Sequence, residues 1–205
     1  MNYIKHIEVT KEIYISRMKR TTFDFNPGVN LVIGPNGSGK STLLYLLRGG
    51  WKSHINLNHV KNPEIDNPLR AVLLEKDGIV TISSFDFEKD NPRGKSTFDD
   101  KDMMWQVKSH YSSHGEAMIA PVAEMLHDGM RDKVALLDEP DSAMDLDNTD
   151  FLIDCLRNTK ASQVIAVVHS PYLMAQPDFH CVEMVEGYKN NCLSRFKNRI
   201  GDSHE

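Results

Sequence analysis

The chain has few cysteines, no long apolar run and no excess of positive charge, and each shortage excludes a class of protein. Its three cysteines, Cys155, Cys181 and Cys192, are odd in number and lack the spacing of a metal site. We therefore expect reduced thiols. No apolar run approaches the roughly 20 residues of a membrane-spanning helix, and the N-terminus has no apolar signal core. These shortages predict a soluble, cytoplasmic protein without membrane insertion.

The charge balance argues against a uniformly basic surface, because the formal net charge is −5. A local basic patch needs only a few residues, so nucleic acid is not excluded as a partner. We interpret the basic residues near the C-terminus as the solvated face of a helix: Lys189, Arg195, Lys197 and Arg199. A length of 205 residues suffices for one large domain or two small ones.

What the sequence does contain is a phosphate-binding loop of the form G-x-x-x-x-G-K-[ST]. The motif comprises Gly34, Pro35, Asn36, Gly37, Ser38, Gly39, Lys40, Ser41 and Thr42. An apolar run precedes it and a helical pattern follows, which is the context that this loop needs. Its glycines let successive backbone N–H groups face an anion. We expect Lys40 to reach the β- and γ-phosphates and Ser41 to hold Mg²⁺, so the motif predicts that the chain binds a nucleoside triphosphate.

Strand and helix patterns alternate along the chain, which predicts an α/β fold with a mainly parallel core sheet. Residues 1–33 are rich in strand patterns and are expected to form an N-terminal antiparallel β subdomain. The helix after the phosphate-binding loop is predicted from about Gly39 to Leu47. Residues 48–109 form a variable insert in this interpretation.

Within this insert, two short strands at 71–74 and 79–83 bracket Asp77-Gly78, which predicts a β-hairpin. The strongly polar segment 86–102 is expected to be exposed. Further on, a helix is predicted to start near Gly115, although Pro121 inside it is awkward. Apolar periodicity then predicts a buried strand, a helix and a second buried strand at 134–137, 151–156 and 164–168.

An acidic pair, Asp138-Glu139, follows the strand predicted at 134–137. Ligands in open α/β sheets bind at the carboxyl ends of the strands, so this pair is expected to face the nucleotide. Asp138 is the candidate to complete the Mg²⁺ shell. Glu139 is the candidate to polarise a water for attack on the γ-phosphate. A solvated acidic turn is the alternative, and the phosphate-binding loop upstream makes it the weaker one.

Three further segments resemble motifs of the ABC ATPase superfamily. Residues 138–145 (DEPDSAMD) look like its Walker B segment and D-loop, and residues 167–173 (VVHSPYL) look like its switch-histidine segment. Residues 113–116 (SHGE) resemble its signature motif. The residues of these segments resemble those of the soluble SMC and RecF branch of predicted ATPases. This resemblance implies a P-loop NTPase fold with a reduced helical subdomain.

The resemblance implies roles for particular residues. Ser113, His114, Gly115 and Glu116 would cap the γ-phosphate of a nucleotide that is bound to another subunit. His169 would contact the γ-phosphate and sense its hydrolysis. Asp145 would bridge the two half-sites. In the same way, Arg17 and Lys19 are candidates to approach the adenine base.

Two departures from the family's pattern stand out. His114 replaces the first glycine of the signature motif. A glutamine loop is not identifiable, and Asp86 or Glu88 is the candidate to take its place beside the metal.

The resemblance predicts a single ATPase domain over residues 1–205, with the signature, Walker B, D-loop and switch-histidine region at 110–180 and a tail at 181–205. This domain would bind ATP and Mg²⁺, form a head-to-tail ATP-sandwich homodimer and hydrolyse ATP to drive a partner. The alternatives are a nucleic-acid-associated ATPase in repair or defence, the energy-coupling subunit of a transporter, and a nucleotide switch with little turnover.

Overall fold

A computed structural model describes residues 3–10, 18–48, 69–73, 80–86, 122–123, 126–127 and 130–201. Two sheets organise this part of the chain. The central sheet has five strands, which run in the order β5-β6-β7-β3-β8. Their bounds are Gly28–Ile33 (β3), Ile82–Asp86 (β5), Val134–Asp138 (β6), Gln163–Val167 (β7) and His180–Glu183 (β8). Every neighbouring pair in this sheet is parallel. The parallel core sheet that the sequence predicts is therefore confirmed.

The second sheet is antiparallel and has three strands in the order β2-β1-β4. Its strands are Ile4–Val9 (β1), Thr22–Asp24 (β2) and Leu69–Leu73 (β4). Buried Gln163 at the start of β7 joins the two sheets. Its amide oxygen accepts from the backbone N–H of Ile4 at 3.1 Å, and its amide nitrogen donates to the carbonyl of Ile4 at 2.9 Å. The N-terminal β region is thus fixed to the core.

The hairpin predicted around Asp77-Gly78 is wrong. The first of its two strands is β4, which pairs with β1 in the antiparallel sheet. The second is β5, which pairs with β6 in the central sheet. Short-range turn chemistry favours a hairpin, but each of the two strands pairs with a strand of a different sheet. The Asp77-Gly78 turn itself lies outside the described residues.

Within the described residues, four continuous helices have these bounds: Lys40–Leu47 (α1), Leu146–Arg157 (α2), Pro171–Met174 (α3) and Tyr188–Gly201 (α4). Two apolar clusters cover the central sheet. Helix α1 and the antiparallel sheet contribute to one cluster, and α2 contributes to the other. Val122 and Leu126 belong to the second cluster and lie in short helical stretches, which fits the helix predicted in that region. Its predicted start near Gly115 lies outside the described residues.

The remaining expectations concern the thiols, the C-terminal helix and the membrane. All three cysteines are free, as predicted. Arg195, Lys197 and Arg199 are exposed on α4, whereas Lys189 is half-buried. Within the described residues, none of the helices combines the length and the apolar content that crossing a bilayer requires.

Candidate functional site

The carboxyl ends of β3, β6 and β7 meet at one edge of the central sheet. Asp138 at the end of β6 is in register with Val167 at the end of β7, and Val32 of β3 is paired with Val167 from the other side. A cavity of about 1080 Å³ opens at this edge. It is lined by residues of the loop 36–42, the turn 139–143 and the pair 169–170. Its volume is that of a ligand-binding pocket, and its lining comes from three of the motifs that the sequence identifies.

The loop between β3 and α1 has the backbone that phosphate binding needs. Gly37 and Gly39 have φ angles of 75° and 93°, in the left-handed region that glycine adopts without strain. Gly34 is required for another reason. A Cβ atom there would lie 2.8 Å from both Met184 Cβ and Ser38 Oγ, so a larger residue would displace the loop from Met184, which follows β8.

Lys40 is buried, with only 6% of its surface exposed. Its Nζ donates to the carbonyl of Gly34 at 2.9 Å and to that of Pro35 at 3.3 Å. Burial lowers the pKa of Lys40, while the nearby carboxylates of Glu139 and Asp138 act in the opposite direction. The ammonium group thus lies against the loop's own carbonyls, at the mouth where phosphate oxygens could replace them.

Ser41 and Asp138 lie together on the floor of the site. The Ser41 hydroxyl donates to Asp138 Oδ1 at 3.3 Å. A hydroxyl and a carboxylate in this arrangement are the oxygen ligands that Mg²⁺ takes in P-loop enzymes. The donor set therefore fits a magnesium ion.

Asp86 is buried at the end of β5, directly across from Asp138 in the strand register. Both residues line a small cavity of about 100 Å³ together with Ser41. The expectation that the polar segment is exposed from residue 86 onward is wrong at its first residue, because β5 continues to Asp86 and pairs along its full length with β6. Glu88, the other candidate, lies outside the described residues.

Glu139 and His169 lie next to each other in the lining of the cavity. His169 Nε2 donates to Glu139 Oε1 at 3.1 Å. Glu139 has a φ of 54°, a left-handed backbone that is uncommon for a residue other than glycine. Its backbone N–H donates to the carbonyl of Val167 at 3.1 Å. The turn after β6 therefore aims this carboxylate at the residue that follows β7.

Asp141 is a residue that the sequence analysis did not single out. Its Oδ2 accepts hydrogen bonds from the backbone N–H groups of His169, at 2.9 Å, and Ser170, at 2.7 Å. No spacing rule signals this contact, because the partners are backbone amides from a distant part of the chain.

The other predicted site residues are placed less completely. Asp145 is exposed and caps the N-terminus of α2, where its carboxylate accepts from the Asn148 N–H at 2.8 Å. Lys19 lines a separate cavity of about 850 Å³ beside β8. The signature residues Ser113, His114, Gly115 and Glu116 lie outside the described residues, as does Arg17.

Comparison with known proteins agrees with these motifs. A family model described as an AAA domain matches residues 13–114. The chain is 26% identical over 175 residues to a zinc import ATP-binding protein, ZnuC, of Ehrlichia ruminantium, covering 80% of this chain and 68% of the relative. It is also 26% identical over 185 residues to the ribosome protection protein VmlR of Bacillus subtilis, covering 85% of this chain but 31% of the relative.

A solved structure has the same fold. The ADP conformation of an ATP-binding cassette of an ABC transporter aligns over 100% of both chains with a TM-score of 0.55 and 16% identity. The relatives and this fold agree with the motifs that surround the cavity: the phosphate-binding loop, the acidic pair at the end of β6 and the segment around His169. Together they support the assignment of this chain as an ATPase of the ABC superfamily.

Proposed function

We propose that this ATPase binds Mg²⁺-ATP between two copies of the chain and hydrolyses it with Glu139 as the base. The observation that carries this proposal is that Glu139, His169 and Lys40 line one cavity and that Glu139 and His169 are hydrogen-bonded to each other. Lys40 and the loop amides would hold the phosphates, while Ser41 and Asp138 would hold the metal. When bound there, Mg²⁺ would supply positive charge that offsets the negative charge developing during phosphoryl transfer.

In this arrangement a second copy completes the site. The partner's Ser113, with the amide of the partner's Gly115, would close the cavity over the γ-phosphate. A helix N-terminus directed at that phosphate would favour its negative charge. Asp145, at the N-terminus of α2, would lie between the two half-sites. The mass of the Glu139→Gln variant in the presence of Mg²⁺-ATP tests this arrangement.

We propose that Asp86 is a further oxygen ligand of the metal in this site. Its support is the shared cavity with Ser41 and Asp138, together with the register of β5 against β6. A carboxylate at this place adds negative charge next to Asp138, which favours a divalent cation. Because Asp86 is buried, solvent would screen the attraction between its carboxylate and the cation only weakly.

Replacing Asp86 by alanine is expected to raise the Mg²⁺ concentration for half-maximal ATPase activity by about tenfold, since loss of one charged ligand weakens cation binding. The measurement is phosphate release titrated with Mg²⁺ at saturating ATP. Asp154→Ala, an exposed aspartate on α2, is the control and should leave the titration unchanged. An unchanged Mg²⁺ titration in a folded Asp86→Ala protein would remove Asp86 from the metal site.

A transporter role is the second candidate, because several relatives are named as import ATP-binding proteins. In that case the chain would energise a membrane partner, and co-purification with a membrane protein would support it. The segment between α1 and the signature motif is short for the helical subdomain that would dock there. Five expectations from the sequence stay predictions. They are a nucleic-acid role, a nucleotide switch with little turnover, membership of the SMC and RecF branch, a single domain over residues 1–205 and a cytoplasmic location.

A further inference from the structure

Asp141 joins two loops that both line the cavity, one after β6 and one after β7. It lies in the turn after β6, two residues beyond Glu139. Its Oδ2 holds the backbone of His169 and Ser170, which follow β7, at 2.9 and 2.7 Å. Hydrogen bonds from backbone amides to a carboxylate are charge-assisted and are stronger than bonds between neutral groups. The backbone that carries the His169 ring is therefore attached to the turn that carries Glu139.

The second carboxylate oxygen of Asp141 is in an unfavourable position. Asp141 Oδ1 is shielded from solvent and has no hydrogen-bond partner within the described residues. A buried acceptor without a partner costs stability, so such groups point to a role other than stability. Asp141 also lines the nucleotide cavity.

The turn around Asp141 is held in a fixed shape. Glu139 and Ala143 both have left-handed φ angles, of 54° and 57°. The Ser142 N–H donates to the carbonyl of Glu139 at 3.0 Å, and Asp145 caps α2 directly after the turn. Strained residues that persist near a cavity are commonly part of a functional arrangement. A shift of the His169 backbone would therefore be transmitted to the start of α2.

We propose that Asp141 is the positioning residue that holds the His169 ring against Glu139 and couples the switch-histidine loop to the turn 139–145. This inference rests on the proposed roles of Glu139 and His169. Asp141 acts through His169 and takes no part in proton transfer. Its removal changes where the histidine lies and leaves the phosphate-binding loop intact.

The kinetic test compares Asp141→Ala, Asp141→Asn and His169→Ala. Asp141→Ala is expected to lower kcat by about 10- to 100-fold with KM for ATP nearly unchanged, because a displaced catalytic group slows the chemical step. Asparagine keeps a side-chain oxygen that can accept from both amides, so Asp141→Asn should recover most of kcat. Asp147→Ala, an exposed aspartate in the first turn of α2, is the matched control.

The double variant separates positioning from a general structural effect. If Asp141 acts through His169, then Asp141→Ala combined with His169→Ala has the kcat of His169→Ala alone. Losses that multiply in the double variant would overturn the inference. Where Asp141→Ala fails to fold, the same comparison is made with Asp141→Leu, which is similar in size and has no acceptor.

A measurement without ATP tests the contact itself. Amide hydrogen exchange of His169 and Ser170, followed by NMR, should be roughly tenfold faster in Asp141→Ala and near the native rate in Asp141→Asn. Native exchange rates in Asp141→Ala would overturn the inference. If His169→Ala leaves kcat unchanged, the proposed role of His169 fails, and the exchange rates alone then decide whether Asp141 holds this loop.

Discussion

Replacing Lys40 by alanine should lower the affinity for ATP by at least about 100-fold, which corresponds to roughly 3 kcal/mol. Lys40 Nζ is buried and donates to the carbonyls of Gly34 and Pro35. Phosphate oxygens carry more charge than these carbonyls, so the ammonium group gains when a nucleotide enters. Alanine removes this cation from beside the β- and γ-phosphates and leaves the metal as their main counter-charge.

Calorimetric titration with a non-hydrolysable ATP analogue and Mg²⁺ measures this loss. Lys197→Ala on the exposed end of α4 is the matched control, because it removes the same charge far along the chain from the loop. It should bind within about twofold of the native protein. A Lys40→Ala protein that melts normally and binds ATP within about threefold of the native value would contradict the placement of the phosphates.

Replacing Glu139 by glutamine should slow hydrolysis by roughly 10² to 10⁴-fold and leave ATP binding intact. Glutamine has nearly the same shape, and its amide oxygen can still accept from His169 Nε2, so the geometry at the cavity mouth is retained. It cannot take a proton from the attacking water. The protein is then held in its ATP-bound state, which on this account is a dimer.

Sedimentation velocity measures that state directly. The Glu139→Gln protein with Mg²⁺-ATP should sediment as a dimer, and the same protein with Mg²⁺-ADP should sediment as a monomer. Asp154→Asn changes a carboxylate to an amide on the exposed side of α2 and should behave as the native chain does. A persistent monomer at saturating ATP would defeat the dimer proposal while leaving the ATPase assignment intact.

The features that were predicted correctly from the sequence are those that depend on residues close together in the chain. The phosphate-binding loop and the strand before Asp138 are local patterns, since glycines and a run of apolar residues specify them without reference to the rest of the fold. The parallel core sheet followed from the alternation of strands and helices. The structure places Lys40, Ser41, Asp138, Glu139 and His169 around one cavity or on its floor.

The features that failed depend on pairing across the chain. Asp77-Gly78 is a good turn pair, yet β4 and β5 find partners in different sheets because each packs against another strand. Asp86 was predicted to begin an exposed segment, but it is the last residue of β5 and pairs with Asp138 of β6 in the core sheet. The contact of Asp141 with two backbone amides has no sequence pattern at all, since any residue can supply an amide.

The most direct test of the account is the position of the γ-phosphate. A crystal structure of the Glu139→Gln protein with Mg²⁺-ATP should show that phosphate between the loop amides of one copy and the partner's Ser113. The side chain of residue 139 should be separated from the phosphorus atom by a single water molecule. A γ-phosphate that is remote from residue 139, or a nucleotide with no second copy against it, would contradict the account.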